Sequence, residues 1–249
     1  MSGHSKWATI KHQKGAKDKA RGKLFGKLIR QVEVAAREGG GDPETNATLR
    51  TMFAKARDAS VPMDTIERAI KRGTGELEGV RYEPVTYEGY APCGVAVFVE
   101  CLTDNRNRTG AEVRSTFSKY GGSSAEPGSV AWQFQRKGVI VAHKTGDDDE
   151  FMLAAMDAGA EDMDDQGDTW QVTTAPGDLS KVRHALEEAG IVVDSADLTM
   201  IPTTVVNLES EADARKVLRV IDLLEEHDDV QAVYANFDIP DEILSVVTT

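Results

Sequence analysis

The hydrophobic pattern of the chain changes its period at the segment GTGELEGV, residues 73–80. Before this segment, apolar residues recur every three or four positions, which is typical of helices with one buried face. After it, short runs rich in Val, Ile and Tyr alternate with helical segments, which is typical of sheets covered by helices. This change predicts the α+β class: a helical domain, a linker at 73–80 and an α+β region.

The first region is predicted to hold three helices. The first begins near Gly15 and ends at the three glycines 39–41. Asp42 and Pro43 then have the residue types of an N-cap and a first helical position. The third helix runs from about residue 64 to 72. Together with the preceding segment, the three helices define a domain of residues 1–75.

The second region is predicted to form two ferredoxin-like domains, one inserted into the other. Residues 137–202 have the order β-α-β-β-α-β, which is that of a ferredoxin-like unit. Residues 80–136 and 203–249 supply the same order when joined, with strands at 95–102, 130–135, 203–208 and 230–237 and helices at 108–120 and 211–227. A further strand is predicted at 82–87. Two domains in series are the alternative.

Basic residues are concentrated at the start of the chain. Residues 1–75 contain 16 Lys or Arg and 8 Asp or Glu, whereas the remainder contains 13 basic and 34 acidic residues. The formal net charge of −13 hides this separation. The distribution predicts a basic module attached to an acidic body.

The basic module is expected to bind nucleic acid through a mobile arm and the helix that follows it. Lysine and arginine can neutralise phosphates and release counterions. Trp7 can stack on an unpaired base, the two histidines offer donors, and Gly3 allows close approach. The candidate residues are Ser2, Gly3, His4, Ser5, Lys6, Trp7, Lys11, His12, Lys14, Lys17, Lys19, Arg21, Lys23, Lys27 and Arg30. Docking of this segment on the acidic body of the same molecule is the alternative.

A second candidate site is the segment TDNRNRT, residues 103–109, which joins a strand to a helix. Thr109 and Glu112 have the spacing of a capping box. The nearby arginines lie at the positive end of the helix dipole, where cations gain nothing, which favours an anion held between them. Pairing with Asp104 or Glu112 is an equal alternative. The candidate residues are Asn105, Arg106 and Arg108.

Catalytic and metal-binding patterns are not found in the sequence. The histidines lack zinc-ligand spacing, and no phosphate loop or nucleophile elbow is complete. Cys93 and Cys101 are expected to be reduced thiols. The longest apolar run is too short to span a membrane, and no signal peptide follows the basic start. A cytoplasmic protein without enzymatic activity or cofactor is therefore expected.

Two segments resemble a known family. SGHSKWATIKHQKGAKDKARGKLFGKLIR, followed by VAAREGG, resembles the start of YebC family proteins, and GYAPCGVAVFVECLTDNRNRTGAEVR resembles their second characteristic segment. Ala91 and Cys93 stand where the family more often has glycine. The resemblance implies a three-domain, non-enzymatic cytoplasmic bacterial protein with a helical domain and two α+β domains around a cleft.

The same resemblance implies two roles. Family members are described as DNA-binding transcriptional regulators. Some members, and a related mitochondrial translational activator, act instead on the ribosome at difficult sequences such as proline runs, which would bring residues 2–14 against ribosomal RNA. DNA and ribosomal RNA both stay open as targets. A third hypothesis is an adaptor whose acidic domains bind a basic protein partner.

Overall fold

A computed structural model describes residues 18–144 and 148–247. Three helices come first: α1 (Asp18–Gly39), α2 (Ala47–Asp58) and α3 (Met63–Thr74). There follow β1 (Glu83–Tyr90), β2 (Ala96–Thr103), α4 (Arg106–Lys119), β3 (Ser123–Ala125), β4 (Phe134–His143), α5 (Asp148–Ala158), β5 (Ala160–Asp165), β6 (Thr169–Thr174), α6 (Leu179–Glu188), β7 (Val193–Pro202), β8 (Val206–Asn207), α7 (Glu211–Glu225), β9 (Val230–Ala235), β10 (Phe237–Asp238) and α8 (Asp241–Val247). Within the described ranges, every helix is too short or too polar to cross a membrane.

The three N-terminal helices pack around one apolar core. Its buried members include Val32 of α1, Leu49 of α2 and Ile66 of α3. The axes of α1 and α3 approach closely at Gly73, where a Cβ atom would lie 2.8 Å from the Cβ of Ala36. A glycine at this position therefore permits the crossing.

The connection between α1 and α2 differs from the predicted one. The N-cap of α2 is Asn46, whose Oδ1 accepts a hydrogen bond from the Leu49 amide at 3.0 Å. Its Nδ2 donates to the carbonyls of Ala35 and Gly40, both at 2.8 Å. Asp42 instead closes a turn before the helix. An amide serves both helix ends because it donates and accepts, whereas a carboxylate only accepts.

The first sheet has the strand order β3-β1-β2-β9, and its strands are antiparallel. Strands β1 and β2 form a hairpin: all eight residues of β1 pair with β2, and a short turn connects the two strands. In this turn Cys93 has a φ of 65°, the left-handed region that favours glycine. Helices α4 and α7 cover one face, and the core there includes Val99, Phe117 and Leu224. Strands β1, β2 and β3 come from residues 80–136 and β9 from residues 203–249, the two segments that were predicted to form one discontinuous domain.

Two predicted strands of the first sheet are wrong. Residues 131–133 form a single 3₁₀ turn, and 134–143 are one continuous strand that belongs to the other sheet. Residues 206–207 pair in parallel with 237–238, outside the four-stranded sheet. The place beside β2 is taken by β1, because a hairpin partner next to it in the chain forms at little cost in loop entropy.

The second sheet has the strand order β5-β6-β4-β7 and is antiparallel throughout. This is the strand order of a β-α-β-β-α-β ferredoxin-like unit, as the pattern of residues 137–202 predicts. Helices α5 and α6 cover one face, around a core that includes Ile140, Phe151 and Leu186. The α+β fold class is confirmed.

The chain passes between the two sheets at residues 131–134 and 202–205, and Gln133 joins these crossings. The Gln133 carbonyl accepts from the Thr203 amide at 2.7 Å, and its Oε1 accepts from Thr204 Oγ1 at 3.3 Å and Asn236 Nδ2 at 3.0 Å. Asn236 Oδ1 accepts from the Ala96 amide at 2.7 Å. The crossings are therefore hydrogen-bonded to each other and to the first sheet. The domain boundaries in residue numbers stay a prediction.

Candidate nucleic-acid interface

Most of the arm lies outside the described residues. Of α1 up to residue 21, only the helical backbone is described. The candidates outside the described residues are Ser2, Gly3, His4, Ser5, Lys6, Trp7, Lys11, His12, Lys14 and Lys17, and those with only a described backbone are Lys19 and Arg21. The remaining candidates form two groups, one on α1 and one at the start of α4.

Two lysines of α1 contact the carboxyl end of α7. Lys23 Nζ donates to the carbonyl of Glu226 at 2.7 Å, and Lys27 Nζ donates to the carbonyl of Glu225 at 2.9 Å. The last carbonyls of a helix lack intrahelical partners and carry the negative end of its dipole. These two lysines of the helical domain therefore cap a helix that covers the first sheet.

Arg30 extends the same contact one turn along α1. Its guanidinium donates to the Asp228 carbonyl and to Asp229 Oδ1, the latter at 3.0 Å. The guanidinium also lies 5.1 Å from the ring centroid of Tyr82, a cation–π distance. Gln31 adds a side-chain hydrogen bond to Gln231 of β9 at 3.2 Å. The cationic face of α1 is thus docked on the body of the protein along residues 23–31.

Asp229, just before β9, is the centre of this junction. Its side chain is only 4% exposed. One carboxylate oxygen pairs with Arg30, and the other accepts from Thr109 Oγ1 at 2.7 Å, Arg108 Nη2 at 2.8 Å and Thr103 Oγ1 at 3.2 Å. Burial alone raises the pKa of Asp229, but the hydrogen bonds from Thr109 and Arg108 bring this pKa below its usual range. The buried carboxylate therefore stays ionised and joins α1, α4 and the first sheet.

The second group of candidates takes part in internal contacts. Asn105 is the N-cap of α4, and its side chain accepts from the Arg108 amide at 3.1 Å. Arg106 lies 3.7 Å from a carboxylate oxygen of Glu83. Arg108 pairs with Asp104 as well as Asp229, both at 2.8 Å. Both arginines therefore make internal ion pairs, and the anion site at this position stays a prediction.

The expected capping box at Thr109 is wrong. Helix α4 begins at residue 106, so Thr109 lies within its first turn and is fully buried against Asp229. Asn105 precedes the helix and has the short acceptor that an N-cap needs, which explains why it takes the cap. The hydroxyl of Thr109 instead satisfies the buried carboxylate.

Asp229 lies at the centre of this junction, but the sequence patterns did not predict a role for it. The only available signal was the pair Asp228-Asp229 immediately before an apolar strand. The Asp229 amide donates to His227 Nδ1 at 3.1 Å, and His227 Nε2 lies 2.6 Å from Glu112. Which aspartate is buried depends on where β9 begins against β2, a tertiary feature that local pattern does not show.

The described residues offer no alternative site built on metal or thiol chemistry. Within 18–144 and 148–247, no group of three or more His, Cys, Asp or Glu side chains could hold a metal ion. Cys93 and Cys101 are free thiols. Burial raises the pKa of Cys101 to about 12, so this thiol stays protonated at neutral pH. What the described part of the interface offers is a set of cations at a domain junction.

Comparisons with known proteins cover the length of the chain. The family model "TACO1/YebC protein N-terminal domain" matches residues 5–76, and the model "TACO1/YebC second and third domain" matches residues 82–237. A "Probable transcriptional regulatory protein" of Halothermothrix orenii is 54% identical over 251 residues, covering 100% of this chain and 99% of that protein. One of the same name from Acidothermus cellulolyticus is 57% identical over 249 residues, covering 99% of this chain and 100% of that protein.

A solved structure shares the fold. The crystal structure of a conserved hypothetical protein from Aquifex aeolicus matches with a TM-score of 0.82 at 47% sequence identity. The match covers 93% of this chain and 97% of the other. The similarity therefore includes the helical domain and both sheets.

Proposed function

The chain belongs to the TACO1/YebC family, and we propose that it is a nucleic-acid-binding regulator of gene expression that contacts its target through residues 1–75. The resemblance found in its two motifs is confirmed. The name of the relatives, probable transcriptional regulatory protein, supports a role in transcription. The proposal places the protein in the cytoplasm and includes no catalytic step and no cofactor.

The observation that carries the proposal is the separation of charge along the chain. Residues 1–75 contain 16 basic residues, whereas the remainder of the chain contains 34 acidic ones. Because phosphate contacts supply most of the non-specific affinity for nucleic acid, we expect the target to bind to the basic module rather than to the acidic body. Trp7 and His12 would add stacking and hydrogen bonds to bases.

Docking of the basic module on its own body is the competing explanation, and the contacts of α1 bear on it. Arg30 is already paired with a buried carboxylate. Lys23, in contrast, donates to a main-chain carbonyl, and no carboxylate of the described residues forms an ion pair with it. A carbonyl does not neutralise an ammonium charge, so this lysine still attracts phosphate. We therefore assign Arg30 mainly to the domain junction, and Lys23 together with the lysines that precede it to the target.

Fluorescence anisotropy with the full chain tests this assignment. The probes are a labelled DNA duplex and a labelled ribosomal RNA fragment, each at two salt concentrations. We expect tight binding at low salt and a loss of at least tenfold in the variant with both Lys11→Glu and Lys14→Glu. The matched control carries the same charge change at two exposed lysines of the body, Lys119→Glu and Lys181→Glu, and should bind more than threefold better than the arm variant.

The outcome against the proposal is equally defined. If the unaltered chain binds neither probe at low salt, or if the arm variant and the control bind alike, residues 1–75 do not form the interface.

Where the chain does bind, the difference in its affinity for the two probes distinguishes the targets. Preference for duplex DNA favours transcription, whereas preference for ribosomal RNA, with co-sedimentation of the chain with ribosomes, favours translation.

A further inference from the structure

Helix α5 in the second sheet's unit has apolar residues on two opposite faces. Phe151, Ala155 and Ala158 are buried against the sheet. On the far side, Met152 is 39% exposed, Leu153 64% and Met156 62%. A helix of a globular protein normally has one apolar face and one polar face, and a helix apolar on all sides is normally covered.

The three exposed side chains form one continuous stripe, which we name the α5 stripe. Met156 follows Met152 by four positions and Leu153 by three, so its side chain neighbours both of them on the helix surface. Single exposed apolar residues are ordinary, but adjacent ones typically mark an interaction surface. Two of the three are methionines, whose flexible thioethers adapt to different partners.

The surroundings of the α5 stripe are acidic. The helix has Asp148, Asp149 and Glu150 in its first turn and Asp157 near its end, and it contains no Lys or Arg. Residues 137–202 as a whole contain 15 acidic and 4 basic residues. Lys181 of α6 is the basic side chain that comes near the end of α5, close to Gly159. The surface is thus apolar in its middle and negative at its edges.

We propose that the α5 stripe binds a basic amphipathic helix of a partner protein. The apolar ridge of such a helix packs on Met152, Leu153 and Met156, and its lysines or arginines face the acidic edges. A second copy of this chain fits poorly, because two α5 surfaces would bring like charges together. Nucleic acid fits poorly for the same reason. This interaction is independent of the nucleic-acid target proposed for residues 1–75.

A designed peptide tests the proposal with the full chain. The probe is a fluorescent peptide of leucine and lysine arranged with helical periodicity, and its control is a peptide of the same composition in scrambled order. We expect the periodic peptide to bind at least tenfold more tightly than the scrambled one. Because the two peptides have the same net charge, this difference would come from the apolar face of the periodic helix. We expect the variant with Leu153→Ser and Met156→Ser to lose at least tenfold in affinity for the periodic peptide.

Two further variants keep the test specific. Leu77→Ser with Val80→Ser removes two exposed apolar side chains from the linker, 44% and 45% exposed, and should leave binding unchanged. Glu150→Gln with Asp157→Asn should weaken binding severalfold, and more so at low salt than at high salt. Urea midpoints equal to that of the unaltered chain show that all variants are folded.

The proposal is overturned if the scrambled peptide binds as tightly as the periodic one, or if the α5 variant binds like the linker variant. Concentration-dependent dimers in sedimentation velocity that are lost in the α5 variant would also overturn it, because a second copy would then be the occupant.

Discussion

Both four-stranded sheets are antiparallel, but the elements packed around them differ. In the first sheet, β2 is buried along nearly its whole length, with α4 and α7 on one face and Phe98 packed near Phe134 on the other. In the second sheet, the strand β4, which is also an interior strand, is buried at only four of its ten positions. The first sheet is also joined to α1 through Asp229 and the end of α7, whereas Lys55–Asp197 is an exposed ion pair to the second sheet, 39% and 42% exposed.

This difference teaches which part of the molecule maintains its shape and which part is free to interact. Side chains of the first sheet are used to hold the helical domain and the crossings at Gln133. Side chains of the second unit are acidic and exposed, and they include the α5 stripe. Substitutions should therefore have global effects in the first sheet and local effects in the second.

The largest effect is expected from Phe117→Ala. Phe117 of α4 is fully buried in the core of the first sheet, and loss of a buried phenyl ring typically lowers the free energy of unfolding by about 3–5 kcal/mol. Urea denaturation should show this loss, and hydrogen exchange should increase in α1 as well as in the first sheet. Exchange that increases only in α4 would show that the first sheet does not organise the molecule.

A comparable core change in the second unit should act locally. Ile140→Ala removes a fully buried side chain of β4, and we expect a loss of about 2–4 kcal/mol in the stability of that unit. Hydrogen exchange in β4, β6 and β7 should increase while β2 and β9 remain protected. Equal deprotection of both sheets would mean that they unfold as one.

An intermediate effect is expected from Asp229→Asn. The amide keeps the shape but loses the charge that two arginines face, so the free energy of unfolding should fall by about 1–3 kcal/mol at neutral pH. Because the pKa of Asp229 is lowered in the folded state, its contribution is present above the unfolded pKa of a carboxyl group. The contribution is lost as the pH falls through the folded value.

The pH dependence supplies the check on Asp229. Between neutral pH and strongly acidic pH, the stability gap between the unaltered chain and Asp229→Asn should narrow, as measured by urea midpoints at a series of pH values. A gap that stays constant would mean that the carboxylate charge contributes nothing. Asp228→Asn, next to it in the chain, is the matched control and should shift the midpoints only slightly.

The smallest effect is expected from Lys55→Ala. Its partner Asp197 is on β7, and exposed ion pairs contribute about 0.2–1 kcal/mol. The change in the urea midpoint should be close to the error of the measurement, and added salt should remove it. A loss as large as that of Asp229→Asn would show that the second unit is joined to the helical domain as firmly as the first sheet is.

The sequence predicted most of what depends on local pattern. Helical periodicity predicts α1 and α3, and the order of elements predicts the strand arrangement of the second sheet. Competition between distant segments was not predictable: residues 203–208 have the pattern of a strand, yet β1 takes their expected place beside β2. The same limit applies to the site. Lys23, Lys27 and Arg30 could be identified as cations of one face, but their contacts with the end of α7 depend on how two domains pack.

The hydrogen bond between Gln133 and Thr203 brings together the two points at which the second unit leaves and rejoins the first sheet. A module whose entry and exit are neighbours can be removed or replaced by a short turn without rethreading the strands around it. The geometry thus makes the acidic module exchangeable during evolution.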